Sequence, residues 1–133
     1  MTLTLENVAE AIDEAALNHG VSGAAWLASE GNIPVTFDNG DIALFEHDGD
    51  DDYQVHFLFV ARGREAINHA RESFGVMFDE HGAKLIFGLV PDFRRDVKLL
   101  ARWAGGKCAG KRMTPEGPCE LYVLSNSMWK GAI

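Results

Sequence analysis

Apolar positions fall into a clear succession of periods along the chain. Leu5, Val8, Ile12, Ala15 and Ala16 recur at the spacing of one helix face, Thr4 is placed to cap it and Gly20 to end it, so a helix is predicted over 4–19. Residues 21–32 form a connection of mostly small side chains in which only Trp26 and Leu27 are bulky. Two short strands, 34–38 and 41–47, flank Asn39-Gly40, a pair that tolerates the left-handed backbone of a tight hairpin. An acidic turn follows, and 53–61 reads as a third strand. The period then becomes helical over 64–81, through Ala66, Ile67, Ala70, Phe74 and Met77, with Gly82 as its stop. Residues 84–90 are almost continuously apolar, as expected of a strand covered on both faces. Pro91 and Asp92 open a further helix whose apolar side is Val97, Leu100, Ala101 and Ala104. Strands 107–113 and 120–126 close the chain around the turn 114–118.

The order α-β-β-β-α-β-α-β-β predicts an α/β fold in the α+β sense: a mixed sheet with helices on both faces. At 133 residues and 47% hydrophobic content the chain is expected to be one domain, 1–133, comprising a leading helix (4–19), a central unit (53–105) and a strand pair (107–126). The net charge of −8 argues against binding to phosphate backbones. Asp48, Asp50, Asp51 and Asp52 concentrate the negative charge, whereas most cations fall between Arg62 and Arg112. The acidic run reads as a solvated turn, and the histidines and cysteines lack metal-ligand spacing, so no metal is expected. No run is long enough to span a membrane, and the expectation is a cytoplasmic protein. Cys108 and Cys119 flank the last hairpin, where they could face each other; reduced thiols are expected. The apolar tail from Met128 to Ile133 is suited to docking, on this domain or on another subunit.

Chemistry concentrates in residues 55–105. A strand runs through Arg62-Gly63-Arg64 directly into a helix, which aims free backbone N–H groups at whatever lies above the turn and so favours an anion. The run of strand, Arg-Gly-Arg turn, helix, strand ending in Val90-Pro91, helix and hairpin resembles the GNAT N-acyltransferase superfamily, by element order over about residues 33–126. It is closest in style to short GNAT-like proteins of tailed phages, some of them head-assembly proteins. That resemblance implies acetyl-CoA as acyl donor and an amine as acceptor. It implies that Phe57 to Val60 follow the pantetheine arm, with Phe59 and Val60 in contact. The pyrophosphate turn would be Arg62, Gly63, Arg64, Glu65 and Ala66, with Arg94 on the opposite side of the cleft. The chain departs from the family's Gln/Arg-x-x-Gly-x-Gly/Ala turn at Glu65 and Ile67. It also has Ala101 where many members place a tyrosine acid.

Acetyl transfer needs a base for the amine and an acid for the leaving thiolate. His56, on the strand assigned to pantetheine, and Tyr122, on the late strand pair, are the candidates, with Glu46 and His47 ending the neighbouring strand. Each has a plainer role as a hydrogen-bonded or packed strand residue. Two functions therefore stand side by side: an acetyl-CoA-dependent N-acetyltransferase, and a non-catalytic phage virion or head-assembly protein that keeps the fold. Partners on these expectations are the amine, a second copy of the chain, or phage particle proteins; neither nucleic acid nor membrane is expected.

Overall fold

A computed structural model of the protein describes residues 4–15 and 22–131. The elements are α1 (Leu5–Ala15), α2 (Gly23–Ala28), β1 (Ile33–Thr36), β2 (Ile42–His47), β3 (Asp52–Leu58), α3 (Gly63–Gly75), β4 (Leu85–Pro91), α4 (Arg95–Trp103), β5 (Lys107–Thr114), β6 (Gly117–Ser125) and α5 (Asn126–Gly131). The strands form a six-stranded sheet in the order β1-β2-β3-β4-β6-β5. Every neighbouring pair is antiparallel except β3 with β4. The mixed sheet expected from the order of periods is thus the observed one.

Thr4 caps α1 reciprocally: its Oγ1 accepts the Asn7 N–H at 3.2 Å, and Asn7 Oδ1 accepts the Thr4 N–H at 3.2 Å. Val8 and Ile12 are buried while Leu5 is exposed; Ala16 and the Gly20 stop lie outside the described residues. The connection over 21–32 contains α2, a helix too short for its period to register in the sequence. Its small residues serve the contact with α1, because a Cβ on Gly23 would lie 2.1 Å from the Ala9 carbonyl oxygen. The third helix runs on from α3 as a π-helical turn, Val76–Glu80, which buries Met77 and Phe78 side by side before Gly82, at φ +66°, ends it. Pro91 does not open α4 as expected. It ends β4, its carbonyl accepts the Arg94 N–H at 2.9 Å, and the helix begins only at Arg95. At this strand terminus the missing N–H costs no ladder bond.

Register assigns each side chain to a face. Ala43, Phe45, Tyr53, Ile86 and Leu124 point to the side of α3, where they meet Ala70, Phe74, Met77 and Phe78. Ile42, Leu44 and Leu58 point to the other side and meet Val8, Ile12 and Trp26 from α1 and α2. Buried on both faces, β2 carries the unbroken apolar run Ile42–Phe45. The described part of the apolar tail docks on this domain: α5 places Trp129 stacked on Phe78 at 5.7 Å and edge-on to Phe74 at 6.3 Å, beneath the Arg71 guanidinium. Cys108 and Cys119 do not face each other, since Cys108 pairs with Tyr122 and Cys119 with Arg112; both thiols are free. Among the described residues no helix is long and apolar enough to cross a membrane, and no cluster of three ligand-type side chains could hold a metal.

Candidate active site

The parallel pair β3–β4 is registered only over Asp52–Gln54 with Leu85–Phe87. Beyond it, β3 stays with β2 as far as Leu58 and β4 stays with β6 as far as Pro91, so the two strands lose each other as partners. A cavity of about 380 Å³ lies on the α3–α4 side of this opening. Its walls are Phe57 and Phe59 from the β3 segment, Ala61 to Gly63 from the turn, Ala66 and Ile67 from α3, Arg94 just before α4, and Val97, Leu100 and Trp103 from α4. The lining is mostly apolar, with Arg62 and Arg94 as its cations and Asp96, paired with Arg94, as its acid, a composition suited to a long and largely apolar ligand with a charged end.

The turn itself has no side-chain cap. Arg62 occupies the N-cap position of α3 in an extended conformation and makes no capping bond, and Gly63 takes φ +61°, a left-handed conformation that favours glycine. The first-turn N–H groups are therefore not taken up by the cap residue. Arg62 folds back: its Nη1 donates to the carbonyls of Phe59 (3.0 Å), Val60 (3.2 Å) and Ala61 (3.0 Å). The opposite side of the same segment is held by Asp41, whose Oδ1 accepts the N–H of Val60 at 2.6 Å and of Ala61 at 3.2 Å. Its Oδ2 meets His69 Nδ1 at 2.8 Å. Burial pushes the Asp41 carboxyl up, but the bonds from His69, Asn39 and the two amides outweigh it and leave its pKa below the usual carboxylate value.

Of the residues expected at the turn and cleft, Phe59, Arg62, Gly63, Ala66 and Arg94 line the cavity; Val60, Arg64 and Glu65 do not. Val60 is exposed. Glu65 is drawn aside to the β1–β2 hairpin, where its Oε1 accepts from Asn39 Nδ2 at 3.0 Å. Arg94 forks onto Asp96 at 3.1 and 3.2 Å, which raises the guanidinium pKa and lowers that of the carboxyl.

His56 and Tyr122 stand on opposite faces of the sheet. His56 pairs with Leu44, so it points to the α1–α2 side, two residues beyond the last registered β3–β4 pair. Tyr122 pairs with Gly88 on the α3–α4 side; it is buried, and its hydroxyl donates to Glu120 Oε2 at 3.1 Å. Burial raises the phenol's pKa. Tyr122 does not line the cavity. Glu120 also accepts from Cys108 Sγ at 3.2 Å and pairs with Lys98 Nζ at 2.5 Å; chiefly through Lys98, its pKa falls to about 2. Lys98 is thus half of a packed ion pair.

Asp41 and His69 carry no motif in the sequence. The only hint of Asp41 is an acid at the first position of an apolar strand, just after the Asn39-Gly40 hairpin signal. Charge is divided along the chain: every Lys and Arg lies at or after Arg62, and the preceding segment holds twelve of the twenty acids. The α3–α4 side of the sheet draws its helices from the cationic part. The α1–α2 side draws its helices from the acidic part.

No protein-family model matches the sequence, and no curated protein matches it. Solved structures do match. The aminoglycoside acetyltransferase AAC(6')-Ib, in a complex with acetyl-CoA and an aminoglycoside, superposes with a TM-score of 0.70 at 16% identity, over 98% of this chain and 94% of that one. A spermidine N-acetyltransferase SpeG chimera from Vibrio cholerae and hSSAT gives 0.64 at 10% identity, over 74% and 68%. The ribosomal-protein-S5-alanine acetyltransferase of Vibrio fischeri gives 0.58 at 10%, over 67% and 55%. The chain has the fold of the GNAT N-acetyltransferases.

Proposed function

We propose that the protein is an acetyl-CoA-dependent N-acetyltransferase whose acceptor is a cationic amine. The observation that carries this reading is the apolar cavity that opens where β3 and β4 part and ends at the uncapped turn of α3. The pantetheine arm fits along Phe57 and Phe59, and the pyrophosphate fits the Arg62–Ala66 turn, with Arg62 released from its carbonyls to meet it. Arg94 closes the far side. The structural neighbours named above carry out acetyl transfer with coenzyme A or act on spermidine, an aminoglycoside or a protein alanine, which supports the reaction class.

Acetyl transfer then runs through the opening between the strands. The thioester lies on the α3–α4 side and the amine approaches from the acidic α1–α2 side, on which His56 stands. The bound ammonium first gives one proton to solvent, which frees the nitrogen lone pair; His56 takes the second proton as nitrogen attacks the acetyl carbon, the new C–N bond replaces the C–S bond, and the thiolate leaves to be protonated by solvent. Tyr122 is left to its bond with Glu120. The phage particle-protein alternative finds no counterpart among the structures named above.

Thermal denaturation with coenzyme A tests the proposal. A ligand at one hundred times its dissociation constant adds about 2.7 kcal/mol, on the order of 10 °C for a domain of this size. Arg62→Ala should reduce the shift, and His56→Gln should keep it while slowing acetylation of a polyamine. No shift for the wild-type protein at millimolar coenzyme refutes the reading.

A further inference from the structure

The segment Phe59–Arg62 lies beyond the end of β3 and so has no strand partner on the β2 side. Its geometry nevertheless must be fixed if it is to present N–H groups to a phosphate. Asp41 supplies what a strand would have supplied: one carboxylate, fully buried, accepts two successive N–H groups there. A buried carboxylate needs a further partner, and His69 on α3 provides it at 2.8 Å. His69 in turn is gripped by rings, stacked on Phe37 at 4.2 Å and edge-on to Phe59 at 6.2 Å. A second tie runs from the same hairpin to the helix start, from Asn39 to Glu65. Thus Asn39 and Asp41, from one loop, hold both the entry to the turn and its exit into α3.

We propose that this hairpin loop is the mount of the coenzyme turn, with Asp41 and His69 as positioning residues that set the turn's N–H groups for pyrophosphate. The inference rests on the coenzyme reading of the cleft. It also accounts for Glu65, which stands where the family prefers glycine: its side chain serves the mount and leaves the cavity clear. A turn that is held before the ligand arrives avoids the ordering cost on binding. Without His69, the Asp41 carboxylate loses a charge-assisted partner and its hold on Val60 and Ala61 loosens.

Two measurements on wild type, His69→Leu and His69→Asn test this: amide hydrogen exchange without ligand, and calorimetric titration with coenzyme A. Asparagine keeps a donor near the Nδ1 position; leucine does not. The expected result is that His69→Leu exchanges Val60 and Ala61 amides faster and binds coenzyme A about tenfold more weakly, whereas His69→Asn restores both. Unchanged affinity in His69→Leu overturns the proposal, as does lost protection throughout the sheet, which marks a merely structural pair. Wild-type protein that protects Val60 and Ala61 yet binds no coenzyme A overturns the coenzyme reading itself, and the mount's purpose with it.

Discussion

Replacing Glu65 by glutamine removes the one acid in the first turn of α3, close to where the pyrophosphate is placed. Glutamine can still accept from Asn39, so the tie to the hairpin survives and only charge changes. Glu65 is three residues beyond the N-cap Arg62, a little under one helical turn. With a rise of about 1.5 Å per residue and a phosphate above the turn, the charges lie roughly 8 Å apart. A doubly charged pyrophosphate at that distance from a carboxylate in water is opposed by about 1 kcal/mol. At physiological salt, where the screening length is also about 8 Å, roughly 0.4 kcal/mol of that remains. Glu65→Gln should therefore bind coenzyme A about twofold more tightly near 150 mM salt, and about fourfold more tightly near 10 mM. The exchange should cost a few tenths of a kcal/mol in stability, because an acid in the first turn favours the helix. Calorimetric titration at the two salt concentrations reads both effects. Weaker binding by the variant, or a gain that does not depend on salt, would refute a pyrophosphate at this turn.

Other outcomes can be stated more briefly. Trp129→Ala should cost about 3–5 kcal/mol, the usual loss for a buried tryptophan, in chemical denaturation. Trp129→Phe should stay within about 1 kcal/mol, because it also removes an indole N–H buried without a partner; equal losses for both would contradict the packing of α5. Glu120 has its pKa lowered from 4.5 to about 2 in the folded protein, so its contribution to stability is present above pH 4.5 and disappears as pH falls toward 2. Glu120→Gln should be less stable near neutrality and lose less on acidification. An unaltered acid limb in denaturation curves at pH 6, 4 and 3 would dismiss Glu120 as its source.

How much of this was legible in the sequence depended on whether the cause was local. Leu5 to Ile12, Ala66 to Met77 and the apolar run Leu85–Val90 betray their elements because period and burial act over neighbouring residues. Arg62 and Gly63 were legible at the turn for the same reason: a left-handed glycine and an N-cap position are local facts. The connection 21–32 hid α2, whose small residues answer to a helix elsewhere rather than to a period of their own. Pro91 looked like a helix opener because the sequence does not show that its strand ends one residue later than the apolar run. Asp41 and His69 were invisible because they meet only through the register of β2 against β3 and the packing of α3. Glu65 read only as a departure from the family's turn, because its partner lies twenty-six positions earlier.

The sheet is in effect two antiparallel sets, the meander β1-β2-β3 and the trio β4-β6-β5, and among the described residues the three residue pairs of Asp52–Gln54 with Leu85–Phe87 are the only backbone ladder joining them. The joint pairs residues 33 positions apart across α3, and the β4–β6 ladder pairs residues 28 to 40 positions apart across α4 and β5, so both require the chain to return through a helix. With three residue pairs against seven in the β4–β6 ladder, the joint is the weaker of the two, and its opening is expected early on the unfolding route. A coenzyme lodged beside it would act as mortar between the two sets of strands, slowing their separation. On the proposed reaction, the molecule spent as a reactant would then also govern how long the protein itself survives.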